Sequence, residues 1–384
     1  MTVMTRTGWL LTLACCVPPL IGLAAQAPRQ GSSAAPAVAD ASGSSLEALF
    51  QQYQQGQFDV VHTALKGRAS AFEGVASEVE PFVSRHRSPI AAAFLLEVAE
   101  AGYRAAASGS ADVFDRASAL ALQFPPGSDF DRAWQLAALS LMQGRGAGTD
   151  FDSIGRWEDG VREATRHLSH IANRGLDPGM LGLAAGIIRE QAAWNGLLVI
   201  RTIGSSTATK TTEANLREVR HRVRQAVDMF RAAQQFPTVR AEATLRLAAM
   251  LAFEGEHAQA LHVVADPNVL QLFASVETLT SEPRLVFLSQ FLRGHYLQAR
   301  GELDEATSAY HSALDIVPDA PSARLALGTV LYARGLDPDY DQMFPVVTSA
   351  AGMDPWATFR YGDYRLWEPR LQALRAQVMR EAGR

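Results

Sequence analysis

The chain has 384 residues, 48% of them hydrophobic, 20% charged and 8% aromatic, a globular composition rather than a disordered or fibrous one. Lys and Arg number 35 against 40 Asp and Glu, a net charge of −5. Without a basic excess or a basic stripe, a role in holding nucleic acid by neutralising phosphates is disfavoured.

Residues 1–27 read as an export signal peptide. Arg6 precedes an apolar run from Trp9 to Leu23, and Ala24, Ala25 and Ala27 supply the small residues at its end. The run is shorter than the ~20 residues a membrane span needs, and Pro18-Pro19 interrupts it. No transmembrane span is expected after leader cleavage. Cys15 and Cys16 both lie in this leader, so the mature chain is expected to have no thiol and no disulfide. Leu13-Ala14-Cys15-Cys16 fits a lipoprotein signal poorly, because the apolar run continues well beyond Cys16. Residues 28–45, PRQGSSAAPAVADASGSS, are small and polar and read as a flexible linker.

From residue 46 onward apolar residues recur three and four apart and period-two alternation is not sustained, so the fold class expected is all-α. Ser88-Pro89 opens one helix, with serine as cap and proline in the first turn. Further helices are expected over about 130–143, 153–173, 179–201 and 212–235, bounded by Gly, Pro, Ser or Asp. Pro81 and Pro345 predict a break or kink.

The C-terminal half carries a period. Gly294 and Gly328 are 34 residues apart, and so are Gly301 and Gly335. Ala226-x-x-x-Phe230-x-x-Ala233 with Pro237 matches Ala306-x-x-x-Tyr310-x-x-Ala313 with Pro318, and Ala226 to Ala260 is again 34. These residues resemble the tetratricopeptide repeat (TPR) family, whose unit is a 34-residue helix–turn–helix. Small residues at Ala248, Gly294 and Gly328 predict close helix approach, and Gly255, Gly301 and Gly335 predict left-handed helix ends. Tyr310 and Phe230 are expected to fill the space against the next unit. Extra residues within DPNVLQLFASVETLTSEP predict a bulge, and residues 46–67, with Gly56 at the turn, read as another hairpin of this kind.

The resemblance implies an α-solenoid of helical hairpins, since each unit buries its apolar faces only against its neighbours. The expected organisation is a degenerate hairpin region at 46–205, tetratricopeptide-like repeats at 206–355 and a capping segment at 356–384. Trp356, Phe359, Tyr361, Tyr364 and Trp367 are expected to cover the end of the stack, a ligand platform being the alternative.

Motifs for chemistry are sparse. Gln143-Gly144-Arg145-Gly146-Ala147-Gly148 has no Lys-Ser or Lys-Thr after it and reads as an inter-helix loop rather than a phosphate cradle. Glu163, His167 and His170 share a helix face at i, i+4, i+7, which reads either as a solvated face or as a metal site. No HExxH, GxSxG or EF-hand loop occurs, and neither a cofactor nor a catalytic residue is expected.

The resemblance implies a groove lined by the first helices of successive repeats. Its inward positions here would be Leu245, Ala249 and Ala252, then Phe291, His295 and Gln298, then Leu325, Thr329 and Tyr332. Phe291, Leu325 and Tyr332 are expected to form one exposed apolar strip. The groove is expected to take an apolar or amphipathic segment, or to be filled by the chain's own termini. The function expected is that of an exported, non-enzymatic TPR-like scaffold in the bacterial cell envelope or periplasm, whose partner is another envelope protein or a peptide segment. The alternative is an envelope enzyme, a hydrolase or metal-dependent protein, with a site in the 130–205 region.

Overall fold

Ser88-Pro89, Asp177-Pro178, Asp266-Pro267 and Asp354-Pro355 each open a helix. The computed structural model describes residues 45–67, 72–104, 109–146, 162, 164–166, 168–169, 175–203, 209–274, 283–336, 354–360 and 367–383. The Ser88 hydroxyl accepts from the Ala91 amide at 3.2 Å, and Asp177 Oδ1 accepts from the Gly179 and Met180 amides at 2.7 and 3.2 Å. Asp266 and Asp354 do the same for the amides of Asn268 and Trp356 at 2.8 and 3.0 Å. The side-chain oxygen satisfies an orphan amide, and the proline that follows has no N–H to orphan.

The described residues are helical, with no strand among them. They fold as two compact units, one of Asp177–Gly362 and one of Gln26–Leu176 with Asp363–Arg384. The division falls ahead of the expected boundary at 205, so the long helix at Pro178–Ile203 belongs to the unit of Asp177–Gly362. The expected capping segment is itself divided between the two units. The leader and linker at 1–44, Pro345, Tyr361, Tyr364 and the Glu163, His167 and His170 face lie outside the described residues, as does most of the helix expected at 153–173.

The unit that begins the described chain contains α1 (Leu46–Gln54), α2 (Phe58–Gly67), α3 (Phe72–Arg85), α4 (Pro89–Arg104), α5 (Ser110–Ala121) and α6 (Asp129–Gly146). Helix α16 (Trp367–Glu381) packs back on α4 and α6. Pro81 causes no break, for α3 runs through it. At the centre α4 is buried along its length, and Glu97 on it forms a forked ion pair with Arg375 on α16, at 2.9 Å to Nε and 2.5 Å to Nη2. Tyr53 lies beside this pair, and burial together with the Glu97 charge pushes its phenol well above the usual range.

The other unit contains α7 (Pro178–Ile203), α8 (Thr209–Ala233), α9 (Arg240–Phe253), α10 (His257–Ala265), α11 (Pro267–Ala274), α12 (Pro283–Arg300), α13 (Leu303–Ile316), α14 (Pro321–Ala333) and α15 (Pro355–Arg360). Helices that follow one another pack together: α7 on α8, α8 on α9, α9 on α10, α12 on α13 and α13 on α14. In addition α9 touches α12, and α12 touches α14. The expected bulge after α10 is in its described part a helix, α11, whose Phe273 is buried and which contacts α9, α10 and α12.

The hairpin turns repeat one geometry. Gly56, Gly255, Gly301 and Gly335 have φ of +79°, +88°, +82° and +75°. In each case the next residue's amide reaches back five positions, as in Glu256 N to Leu251 O at 2.9 Å and Glu302 N to Leu297 O at 3.0 Å. This double closure satisfies carbonyls left over at the helix end and requires a residue without a Cβ penalty at positive φ.

Tyr310 and Phe230 pack within their own hairpins. A Cβ on Gly294 would stand 2.8 Å from Tyr310 Cδ1, and one on Gly186 would stand 2.4 Å from Phe230 Cε1. The Tyr310 hydroxyl donates to Gln298 Oε1 at 2.8 Å, so its burial leaves no orphan polar group. The same glycine-under-ring packing in α7–α8 and α12–α13 makes these hairpins alike despite their different lengths.

Tyr310→Ala should cost about 3–5 kcal/mol by leaving a cavity. Gly294→Ala should cost about 1–3 kcal/mol by overpacking the same contact. Both should appear as lower midpoints in urea unfolding; wild-type midpoints in both variants contradict this packing.

Candidate functional site

Arg246 is a charged residue in the apolar run Ala243–Phe253, and it has no exposed surface. Its Nη1 donates to Glu190 Oε2 on α7 at 2.6 Å, while Nε and Nη2 donate to Glu242 Oε1, one turn earlier on α9, at 2.9 and 2.8 Å. Nη2 also donates to the Phe359 carbonyl on α15 at 2.9 Å, and the guanidinium lies over the Phe359 ring, 4.1 Å from its centroid. Burial alone would lower the guanidinium pKa, but Glu190 and Glu242 hold it above its ordinary value. The group is therefore a fixed cation that binds and does not exchange protons.

Two further contacts seat α15. Trp356 packs on Phe291 of α12 with ring centroids 5.4 Å apart, and both side chains are buried. Asp354, just before the helix, accepts from the Ser322 amide and hydroxyl at the start of α14, each at 2.9 Å. A six-residue helix is thus gripped by α9, α12 and α14 in turn. Also on α12, Tyr296 is buried and its hydroxyl has no hydrogen-bond partner among the described residues; burial and the Glu190 charge push its pKa well above the usual range.

The expected groove residues scatter. Leu245 is core, as are Ala249 and Ala252. Phe291 is 3% exposed beneath Trp356, and Gln298 is buried as the acceptor for Tyr310. His295 is partly buried beside Phe291, Leu325 is partly buried, and Thr329 is exposed with its hydroxyl donating to Leu325 O at 2.8 Å. Tyr332 stands 77% exposed. Phe291, Leu325 and Tyr332 therefore do not form one exposed apolar strip, because α15 covers the first of them. The side of α12 that carries Phe291 is covered by α15, a segment of this chain.

Arg246, Glu190, Glu242 and Tyr296 were not expected as site residues. The signal for them was present, in a Glu-x-x-x-Arg pair inside an apolar helix and in Glu190 inside LGLAAGIIREQAAW. A buried charge demands a partner, so such residues point to each other. No group of three or more His, Cys, Asp or Glu among the described residues is placed to hold a metal ion. No helix among them is long and apolar enough to cross a membrane.

Arg246→Met removes the guanidinium from the buried Glu190 and from Glu242 and should cost about 3–5 kcal/mol in urea unfolding. Adding Glu190→Gln and Glu242→Gln should recover part of that loss; equal losses in the single and triple variants contradict the network.

A second expectation concerns pH. Burial, with His257 nearby, pushes His295 down to about 4, whereas an unfolded histidine titrates near ~6.5. Between those values the unfolded chain binds a proton that the folded chain does not. The histidine's effect on stability is therefore absent above ~6.5 and unfavourable as pH falls towards about 4. The fall in melting temperature from neutral to acid pH should be shallower in His295→Gln; identical pH profiles contradict this environment. No protein-family model matches the chain, and no curated protein matches it in sequence.

Proposed function

We propose that this chain is an exported α-solenoid of tetratricopeptide-like hairpins that serves as a protein–protein interaction scaffold in the bacterial cell envelope. Helices α9, α12 and α14 are the first helices of successive hairpins, and α7 is the first helix of the longer hairpin before them. The contacts of α9 with α12 and of α12 with α14 set these first helices side by side, as stacking of such units requires. The recurring Gly turns at Gly255, Gly301 and Gly335 support the same reading.

One observation carries the function: a short segment, α15, is held across three first helices by an aromatic contact, a guanidinium and a cap. That is the manner in which a face of stacked helices takes a segment of protein, through aromatic anchors and a few polar contacts that set its direction. The chemistry of the seat is recognition. The Arg246 guanidinium within it is committed to two carboxylates and a carbonyl. Export rests on the leader read at 1–27.

Two measurements test this reading. Intact mass of the protein in the envelope fraction should correspond to a chain that has lost its leader and carries no acyl group; a full 384-residue chain in the cytoplasm contradicts export. A photo-crosslinking amino acid at the exposed Tyr332 should yield one defined adduct in cells that make the protein. The same group at the exposed Asp228 on α8 should yield none. Equal labelling at the two positions, or none at Tyr332, contradicts a scaffold that uses this end of the repeats.

A further inference from the structure

Segment α15 engages the rest of its unit as a ligand engages a receptor. Asp354, Trp356 and Phe359 each make a contact on a different helix. Asp354 binds the start of α14, Trp356 covers Phe291 on α12, and Phe359 lies on Arg246 of α9. We propose that this seat is a recognition site for a short helical segment of a partner protein, bearing Asp, then Trp and Phe three residues apart, and that α15 occupies it in cis until such a segment displaces it. This deepens the scaffold reading above and rests on it.

Two observations support a replaceable occupant over a permanent one. The seat is complete without α15, since the guanidinium of Arg246 keeps both carboxylate partners, Glu190 and Glu242, when the segment leaves. Departure loses one hydrogen bond to a carbonyl and one ring contact at this charge, and strands no unpaired cation. Next, α15 has six residues, far below the ~12–15 at which a helix holds in water alone, so its helicity depends on the seat and is given up with it.

The chemistry defines the partner. The tryptophan must reach Phe291 and the phenylalanine must stack on a guanidinium whose charge is permanent. The aspartate, capping its own helix as Asp354 caps Trp356, fixes direction through Ser322. A partner with aliphatic residues at the two aromatic positions loses the ring-on-cation contact.

The test uses a fluorescent peptide that contains the sequence of residues 354–360, and the full chain in two forms. The first is wild type and the second is Trp356→Ala with Phe359→Ala, which empties the seat. Occupancy in cis lowers apparent affinity by the fraction of molecules with the seat open, so the emptied variant should bind the peptide at least about tenfold more tightly than wild type. A peptide with both aromatics changed to alanine should not bind. Failure of a folded emptied variant to bind, or equal binding by the two chains, overturns the proposal. If circular dichroism shows the double alanine variant unfolded, Trp356→Leu with Phe359→Leu, which keeps apolar cover over the seat, is judged by the same ratio. Arg246→Lys in the emptied chain should weaken the peptide, since a point charge replaces the planar fork. An unmoved peptide affinity there overturns the assigned seat. Loss of peptide binding with the Tyr332 adduct retained makes α15 a structural clamp and leaves the scaffold reading standing; the reverse pattern does the opposite.

Discussion

A guanidinium with no exposed surface stays charged only where its surroundings have been fixed around it. Arg246 meets that condition with a carboxylate from α7, another from its own helix and a carbonyl from α15. Removing two charges of opposite sign from water costs several kcal/mol per ion, and the return depends on geometry and on satisfying the remaining donors. Four donated hydrogen bonds meet that need here. The consequence is positional: the two carboxylates fix α7 against α9, and the Phe359 carbonyl and ring add α15 to the same guanidinium. Apolar packing between the same helices would tolerate sliding; the ion network does not.

The unit that begins the described chain uses the same device for a different end. Arg375 on α16 forks onto Glu97 on α4, and its guanidinium lies 5.1 Å from the Phe58 ring centroid. Burial pushes the Glu97 carboxyl up while Arg375 opposes that shift. Here the arginine brings a helix from the far end of the sequence back to one near its beginning, so the unit closes on itself. In both units an arginine over an aromatic ring, paired with a buried glutamate, marks where a late segment of the chain docks on an earlier helix.

The parts of the fold that are legible in the sequence are those fixed by local backbone chemistry. Gly255, Gly301 and Gly335 announce their turns because only glycine takes positive φ without penalty, and Asp-Pro or Ser-Pro pairs announce helix starts because a cap and a missing N–H belong together. The direction in which a side chain points is less legible. Periodicity marks Leu245 and Phe291 as apolar positions, and apolar positions are as readily core as groove. The repeat pattern points Tyr310 towards the neighbouring unit but does not show that Gly294 opens a gap for its ring within the same hairpin. Pro81 failed to interrupt α3, and an apolar stretch assigned to a bulge became α11 once its Asp266 cap was satisfied. The occupied seat was beyond periodicity altogether, because Arg246 and Phe359 are separated by 113 residues and nothing local links them.

The central claim is that α15 is held on the first helices through Arg246. Hydrogen exchange of the Trp356–Phe359 amides measures this most directly, in wild type and in Arg246→Lys, which keeps the charge and loses the fork. Seating through Arg246 predicts protected amides in wild type and much faster exchange at Trp356–Phe359 in the variant, while the α12–α13 hairpin keeps its protection. Unchanged exchange at α15 in Arg246→Lys would contradict it.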